Sequence, residues 1–114
     1  MRRGEVWLIN LDPTIGAELK KIRPAVIIND DALGMLPLKV IVPLTAWKQH
    51  YRQAPWLVYI APTEANGLDN PSAADTFQVR SLSQERLVRC LGRLTESDLK
   101  NISSALALVL SIEL

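Results

Sequence analysis

One cysteine and one histidine, Cys90 and His50, are all that this 114-residue sequence offers toward thiol or soft-metal chemistry. A single thiol cannot form an intrachain disulfide, which suits a reducing compartment. One histidine with one cysteine cannot assemble the clustered ligands of a zinc site. No phosphate-cradling glycine loop and no dinucleotide fingerprint occurs, so neither metal nor cofactor is expected. A serine–histidine–aspartate triad would depend on His50, and no Gly-x-Ser-x-Gly elbow accompanies it. Apolar runs stay well short of the ~18 residues that a membrane-spanning helix needs. Met1-Arg2-Arg3-Gly4-Glu5 leads into no signal-type apolar block. A cytoplasmic protein with no membrane association is the expectation.

What is present is an ordinary globular composition, 48% hydrophobic and 22% charged, without repeat, linker or low-complexity stretch. Residues 1–114 read as one domain, long enough to bury a core. The net charge of +1 is uninformative, but its distribution is uneven. Lys39, Lys48 and Arg52 lie in a stretch without acids, and Glu64, Asp69 and Asp75 in one without Lys or Arg. Such a division permits a basic face beside an acidic one and equally fits a mixed solvated surface.

Short β-branched and aromatic runs bounded by Gly, Pro, Asn and Asp dominate the chain. Strands are predicted at 5–11, 25–29, 40–44, 56–60, 77–82 and 87–91, giving a curled antiparallel sheet or small barrel instead of alternating βαβ units. The connections 12–23 and 61–74 are long for hairpins, and long loops in a compact barrel are more often functional than idle. Thr95-Glu96-Ser97-Asp98 is a capping-box helix start. Leu99, Ile102, Leu106, Val109 and Leu110 then recur at helical spacing and should face the sheet. Ala105, Leu108 and Ile112 widen that apolar surface and hint at a second burial partner, such as another subunit.

Cys90 sits in an apolar strand-like run and reads as a buried structural thiol. His50 reads as an exposed loop residue. The remaining chemistry is that of arginine, lysine, hydroxyl and carboxylate. Arg23 opens the second strand and Thr45 closes the third, so the two converge at one rim if those strands are neighbours. A guanidinium offers planar, paired donors to phosphate oxygens, and a threonine hydroxyl adds a short neutral donor. An RNA 2′-hydroxyl that attacks its own phosphodiester needs no protein nucleophile, only alignment and charge stabilisation. A surface arginine and a strand-end threonine would look the same by spacing alone. The residues themselves lead to a small β-barrel with a possible anion or RNA site.

Three ordered segments carry more. Arg3-Gly4-Glu5-Val6-Trp7, Leu11-Asp12-Pro13-Thr14-Ile15-Gly16-Ala17-Glu18 and Arg23-Pro24-Ala25-Val26 resemble the opening of the MazF/PemK toxin family. Val42-Pro43-Leu44-Thr45 and Phe77-Gln78-Val79-Arg80-Ser81-Leu82 resemble its later signatures, so the resemblance covers nearly the whole chain. It implies a mainly β fold with a C-terminal α-helix, an SH3-like antiparallel barrel, usually a homodimer. It implies metal-independent cleavage of single-stranded RNA, leaving a 2′,3′-cyclic phosphate and a 5′-hydroxyl. A small antitoxin protein that folds over the RNA groove would be the partner.

By position, the resemblance makes Arg23 and Thr45 catalytic. It places Glu18 in the substrate loop, with Lys20 and Lys21 beside it, and Gln78, Arg80 and Ser81 near the site. Trp47, just after Thr45, could stack a base or serve packing, and Trp56 reads as packing. Some relatives carry histidine where this chain has Ala17, and many carry aspartate where it has Phe77. Asp75, two residues earlier, would share a strand face with Phe77 and could supply a carboxylate from a shifted position. The general base is left unassigned, since arginine holds its proton too tightly. Two other functions stay open: a barrel that poisons DNA gyrase by protein contacts, and a non-catalytic barrel that binds RNA or protein.

Overall fold

The computed structural model describes residues 1–11, 15–16 and 22–113. Branched and aromatic side chains pack well on a pleated surface, and the runs rich in them form strands. These are β1 (Glu5–Asn10), β2 (Ile22–Ile27), β3 (Leu38–Ala46), β4 (Leu57–Ile60), β5 (Ser72–Asp75), β6 (Arg80–Ser83) and β7 (Leu87–Arg93), followed by a helix, α1 (Glu96–Val109). The strands run in the order β4–β5–β3–β2–β1–β7, with β6 also paired to β3, and every pairing is antiparallel. The class is the expected one, mainly β with a C-terminal helix. Its sheet is not closed among the described residues, because β4 and β7 stand at opposite ends of that order.

Register assigns the two faces. Val6 lies opposite Val26, and Val26 opposite Val42, so these three valines share one face. They form a core with Leu44, Ala74 and, from α1, Leu99 and Ile102. The alternate positions Ile9, Ala25, Ile27 and Ile41 build a second core with Leu82 and Leu87 on the other face. Thr95 caps α1, its Oγ1 accepting from the Asp98 N–H at 3.0 Å. Leu99, Ile102 and Ala105 are buried, while Leu110 is 54% exposed. The helical repeat ends at Val109, and Leu110 takes up a cap conformation that turns it out of the expected row.

Several expectations need correction. The run 77–82 is not one strand: Thr76–Gln78 is a 3-10 turn, and strand begins again at Arg80. Leu44 pairs with Ala74 whereas Ile41 pairs with Arg80, so three steps on β3 match six on the other strand. The turn 76–78 is that surplus, bulged out of an otherwise continuous strand, and it cancels the alternation that would have put Asp75 and Phe77 on one face. Most of the long connection 61–74 is loop, but it ends in β5, whose small residues gave no strand signal. Cys90 is exposed, on β7 at the end of the sheet order. Trp56 is 39% exposed instead of packed: it precedes β4 in a turn, and its ring stands T-shaped to that of Phe77 with centroids 6.2 Å apart.

Candidate functional site

Arg23 and Thr45 come together because β2 and β3 are neighbours. The ladder ends with Ala25 opposite Pro43, and Arg23 and Thr45, each two residues beyond that pair, line one cleft. Pro24, between them, has no N–H to give that stretch of ladder. The Arg23 guanidinium donates to the Leu44 carbonyl at 3.4 Å. Both side chains belong to the face that carries the second core, and both line a cleft of about 270 Å³ with Asp69, Asn70 and Ser72. Partial burial pulls the Arg23 pKa below the ordinary arginine value, yet arginine remains a cation at neutral pH.

The far wall of this cleft is the loop after β4, and a buried asparagine shapes it. Asn66 is 1% exposed. Its Oδ1 accepts from the N–H groups of Thr63 and Leu68, both at 3.0 Å, and its Nδ2 donates to the Ala61 carbonyl at 2.9 Å. The loop then lies directly on β7. A Cβ at Gly67, which has φ +69°, would fall 2.1 Å from the Leu91 carbonyl oxygen, and one at Gly92 would fall 2.3 Å from that of Ala65. Only glycine permits such backbone approach. The contact sets where Leu68 to Ser72 stand against Arg23.

Thr45 also faces a second pocket, of about 480 Å³, lined by His50, Tyr51, Gln53, Trp56, Leu57 and Asp75 among others. Thr45 lies opposite Ala73, and Asp75 is two residues beyond Ala73 on β5, so the threonine and the carboxylate share a face. Asp75 caps the 76–78 turn, accepting from the Phe77 N–H at 3.2 Å. Burial raises its pKa above the ordinary carboxylate value, against hydrogen bonds from Phe77 and Gln78 that favour the charged form. Thr45 therefore lines two pockets, one with the Arg23 guanidinium and the Asp69 carboxylate and the other with the Asp75 carboxylate.

Residues 2–110 match the model of a family described as PemK-like, MazF-like toxins of type II toxin-antitoxin systems. The chain belongs to that family. It is 33% identical over 118 residues to a protein of Mycobacterium tuberculosis named Endoribonuclease MazF9, with 98% of each chain covered. Among solved structures it resembles MazF from Deinococcus radiodurans, with a TM-score of 0.82, 23% identity, and 98% of this chain and 97% of that one covered. It also resembles a mycobacterial endoribonuclease solved in complex with its cognate antitoxin, with a TM-score of 0.78, 22% identity, and 100% and 98% covered.

Within this toxin-family member the other expected site residues scatter. Glu18, Lys20 and Lys21 lie outside the described residues. Arg80 lies opposite Ile41 and so projects from the face that carries Thr45. Ser81, one residue on, is exposed on the other face. Gln78 hydrogen-bonds Asp75 through both its backbone and its side chain. Trp47 is partly buried, its ring meeting the edges of Tyr51 at 5.8 Å and Tyr59 at 5.1 Å. His50 is exposed on the 3-10 turn Gln49–Gln53, as its polar surroundings suggested, yet it joins the pocket beside Thr45. Sequence reasoning missed Asn66 and the wall it builds. The Asn66-Gly67 pair is a turn signal that would have flagged the position, though not its burial.

Proposed function

We propose that this toxin is an endoribonuclease that cuts single-stranded RNA without a metal ion, by attack of the RNA's own 2′-hydroxyl. A bond forms between O2′ and phosphorus as the bond from phosphorus to O5′ breaks. The 2′-hydroxyl proton leaves to an acceptor and O5′ gains one, giving a 2′,3′-cyclic phosphate and a 5′-hydroxyl. The observation that carries this reading is that Arg23 and Thr45 line one cleft. The guanidinium presents paired donors to the non-bridging oxygens, and the hydroxyl adds a third where charge develops. Family membership and the naming of relatives as endoribonucleases support the same reading.

Gln78 and Arg80 would contact RNA beyond the scissile phosphate, with Glu18, Lys20 and Lys21 from the first loop. The toxin would work as a cytoplasmic homodimer, held in check by a cognate antitoxin protein. The test is cleavage of a long single-stranded RNA in excess EDTA by wild type, Arg23→Ala and Thr45→Ala. Discrete fragments ending in cyclic phosphate are expected from wild type. Each variant should be slower by about 10²–10³, the usual cost of one transition-state donor. Equal rates for wild type and Arg23→Ala would remove the assignment.

A further inference from the structure

A carboxylate borders the Arg23 cleft, and nothing in the fold uses it. Asp69 lines that cleft with Arg23, Thr45 and Ser72. It also lines a neighbouring cleft of about 460 Å³, with Arg89 and Cys90 of β7. The charged or titratable side chains that share a cleft with it are therefore Arg23 from β2 and Arg89 and Cys90 from β7. Among the described residues, the Asp69 carboxylate makes no hydrogen bond and no ion pair, so it neither caps a turn nor tethers a guanidinium. The short segment that carries it is nevertheless fixed on both sides. Leu68 is buried in the core shared with α1, and its N–H donates to the Asn66 Oδ1 at 3.0 Å. Beyond Asp69, the Pro71 carbonyl accepts from the Trp47 N–H at 3.0 Å, and the Ser72 hydroxyl donates to the Asn70 carbonyl at 3.1 Å. The ring of Pro71 stiffens that stretch further.

For binding alone, a carboxylate here is unfavourable. Like charges repel across a few ångströms, so Asp69 opposes a phosphodiester held at Arg23. What it supplies is a proton acceptor, which the cleavage needs and its neighbours do not provide. Arg23 holds its proton too tightly, and Thr45 is a neutral hydroxyl. We propose that Asp69 is the general base, taking the proton of the attacking 2′-hydroxyl while Arg23 and Thr45 hold the scissile phosphate. This rests on the endoribonuclease reading. The O2′–H bond breaks as the O2′–phosphorus bond forms, and the proton passes to the carboxylate. The electron pair of the phosphorus–O5′ bond goes to O5′, which takes a proton from water, and Asp69 then returns its own proton to solvent. Asp75 also shares a pocket with Thr45, but its carboxylate is engaged in capping the 76–78 turn.

The experiment is single-turnover cleavage of single-stranded RNA in EDTA, from about pH 4 to 8, by wild type, Asp69→Asn, Asp69→Glu, Asp69→Ala and Asp75→Asn. Asp69 is exposed, so these substitutions at 69 leave the fold intact. An ionised carboxylate accepts a proton and a protonated one does not, so the wild-type rate should fall about tenfold per pH unit on the acid side. Asp69→Asn should cut about 10²–10⁴-fold more slowly, lose that acid limb, and bind RNA at least as tightly, since a repelling charge is gone. Asp69→Glu should keep the limb, and added formate should restore part of the rate to Asp69→Ala. A residue that only held the loop in place would give neither the lost limb nor the rescue. An acid limb that survives in Asp69→Asn, or that disappears in Asp75→Asn alone, overturns the assignment and leaves the cleavage reading standing. Slow cutting by Asp69→Asn that traces wholly to weakened RNA binding overturns it too. No cutting by folded wild type overturns both.

Discussion

At the scale of single residues, the carboxylate of Asp75 and the carboxamide of Asn66 do opposite kinds of work. Burial raises the Asp75 pKa above its ordinary value of 3.8, so the folded state holds that proton more tightly than the unfolded chain. Its contribution to stability is full below pH 3.8 and is lost as pH rises through the folded value. Asp75→Asn removes this penalty and keeps a side-chain acceptor for the turn. Urea midpoints should therefore separate in favour of the variant as pH is raised from about 3 toward neutrality. A constant difference across that range would show that the aspartate is not titrating there. Asn66 carries no charge and holds its loop by geometry. Asn66→Ala takes the acceptor from the Thr63 and Leu68 N–H groups, and the latter is buried. We expect a loss of roughly 2 kcal/mol or more in chemical denaturation, with a raised KM as the wall of the Arg23 cleft loosens.

At the scale of elements, the loop after β4 and strand β7 are joined by backbone contact more than by side chains. Gly67 combines φ +69° with a Leu91 carbonyl 2.1 Å from where a Cβ would sit. Gly67→Ala must strain the backbone and push β7 or the loop away, at a cost of about 2–3 kcal/mol. A thermal midpoint within a degree or so of wild type would contradict that account. Gly92 is the reciprocal contact on β7, against the Ala65 and Asn66 backbone. The bulge 76–78 is the second device at this scale, and it is what the strand-like letters of 77–82 concealed. Alternation is a property of unbroken strand, and three extra residues between Ala74 and Arg80 reset it. Thr76 is fully buried and anchored on Trp56, a contact twenty residues away that no local pattern reveals.

At the scale of the whole molecule, the end of α1 is unfinished business for one chain. Leu108 is 59% exposed, Leu110 54% and Ile112 52%. The proposed homodimer gives these side chains a place to be buried. Among the described residues, no helix is long and apolar enough to cross a membrane, so a bilayer-spanning helix does not account for them. Sedimentation should report a dimer, and Leu108→Glu combined with Leu110→Glu should raise its dissociation constant by at least about 10-fold, roughly 1.4 kcal/mol. A dimer unaffected by the double substitution would place its interface elsewhere.

The local chemistry of the chain determined the elements whose cause is local. Branched runs became strands, Thr95 capped the helix, and Leu99 and Ile102 turned inward at helical spacing. The ordered segments around Arg23 and Thr45 identified the family, and the neighbouring of β2 and β3 was enough to bring those two residues together. What tertiary structure decided has a longer reach. Burial depends on what lies over a residue, so Cys90 turned out exposed and Trp56 unpacked although both sit among apolar letters. The pocket beside Thr45 draws on β3, the turn at 49–53, the start of β4 and the end of β5. No segment of sequence contains that juxtaposition, because only the curl of the sheet makes those four pieces neighbours.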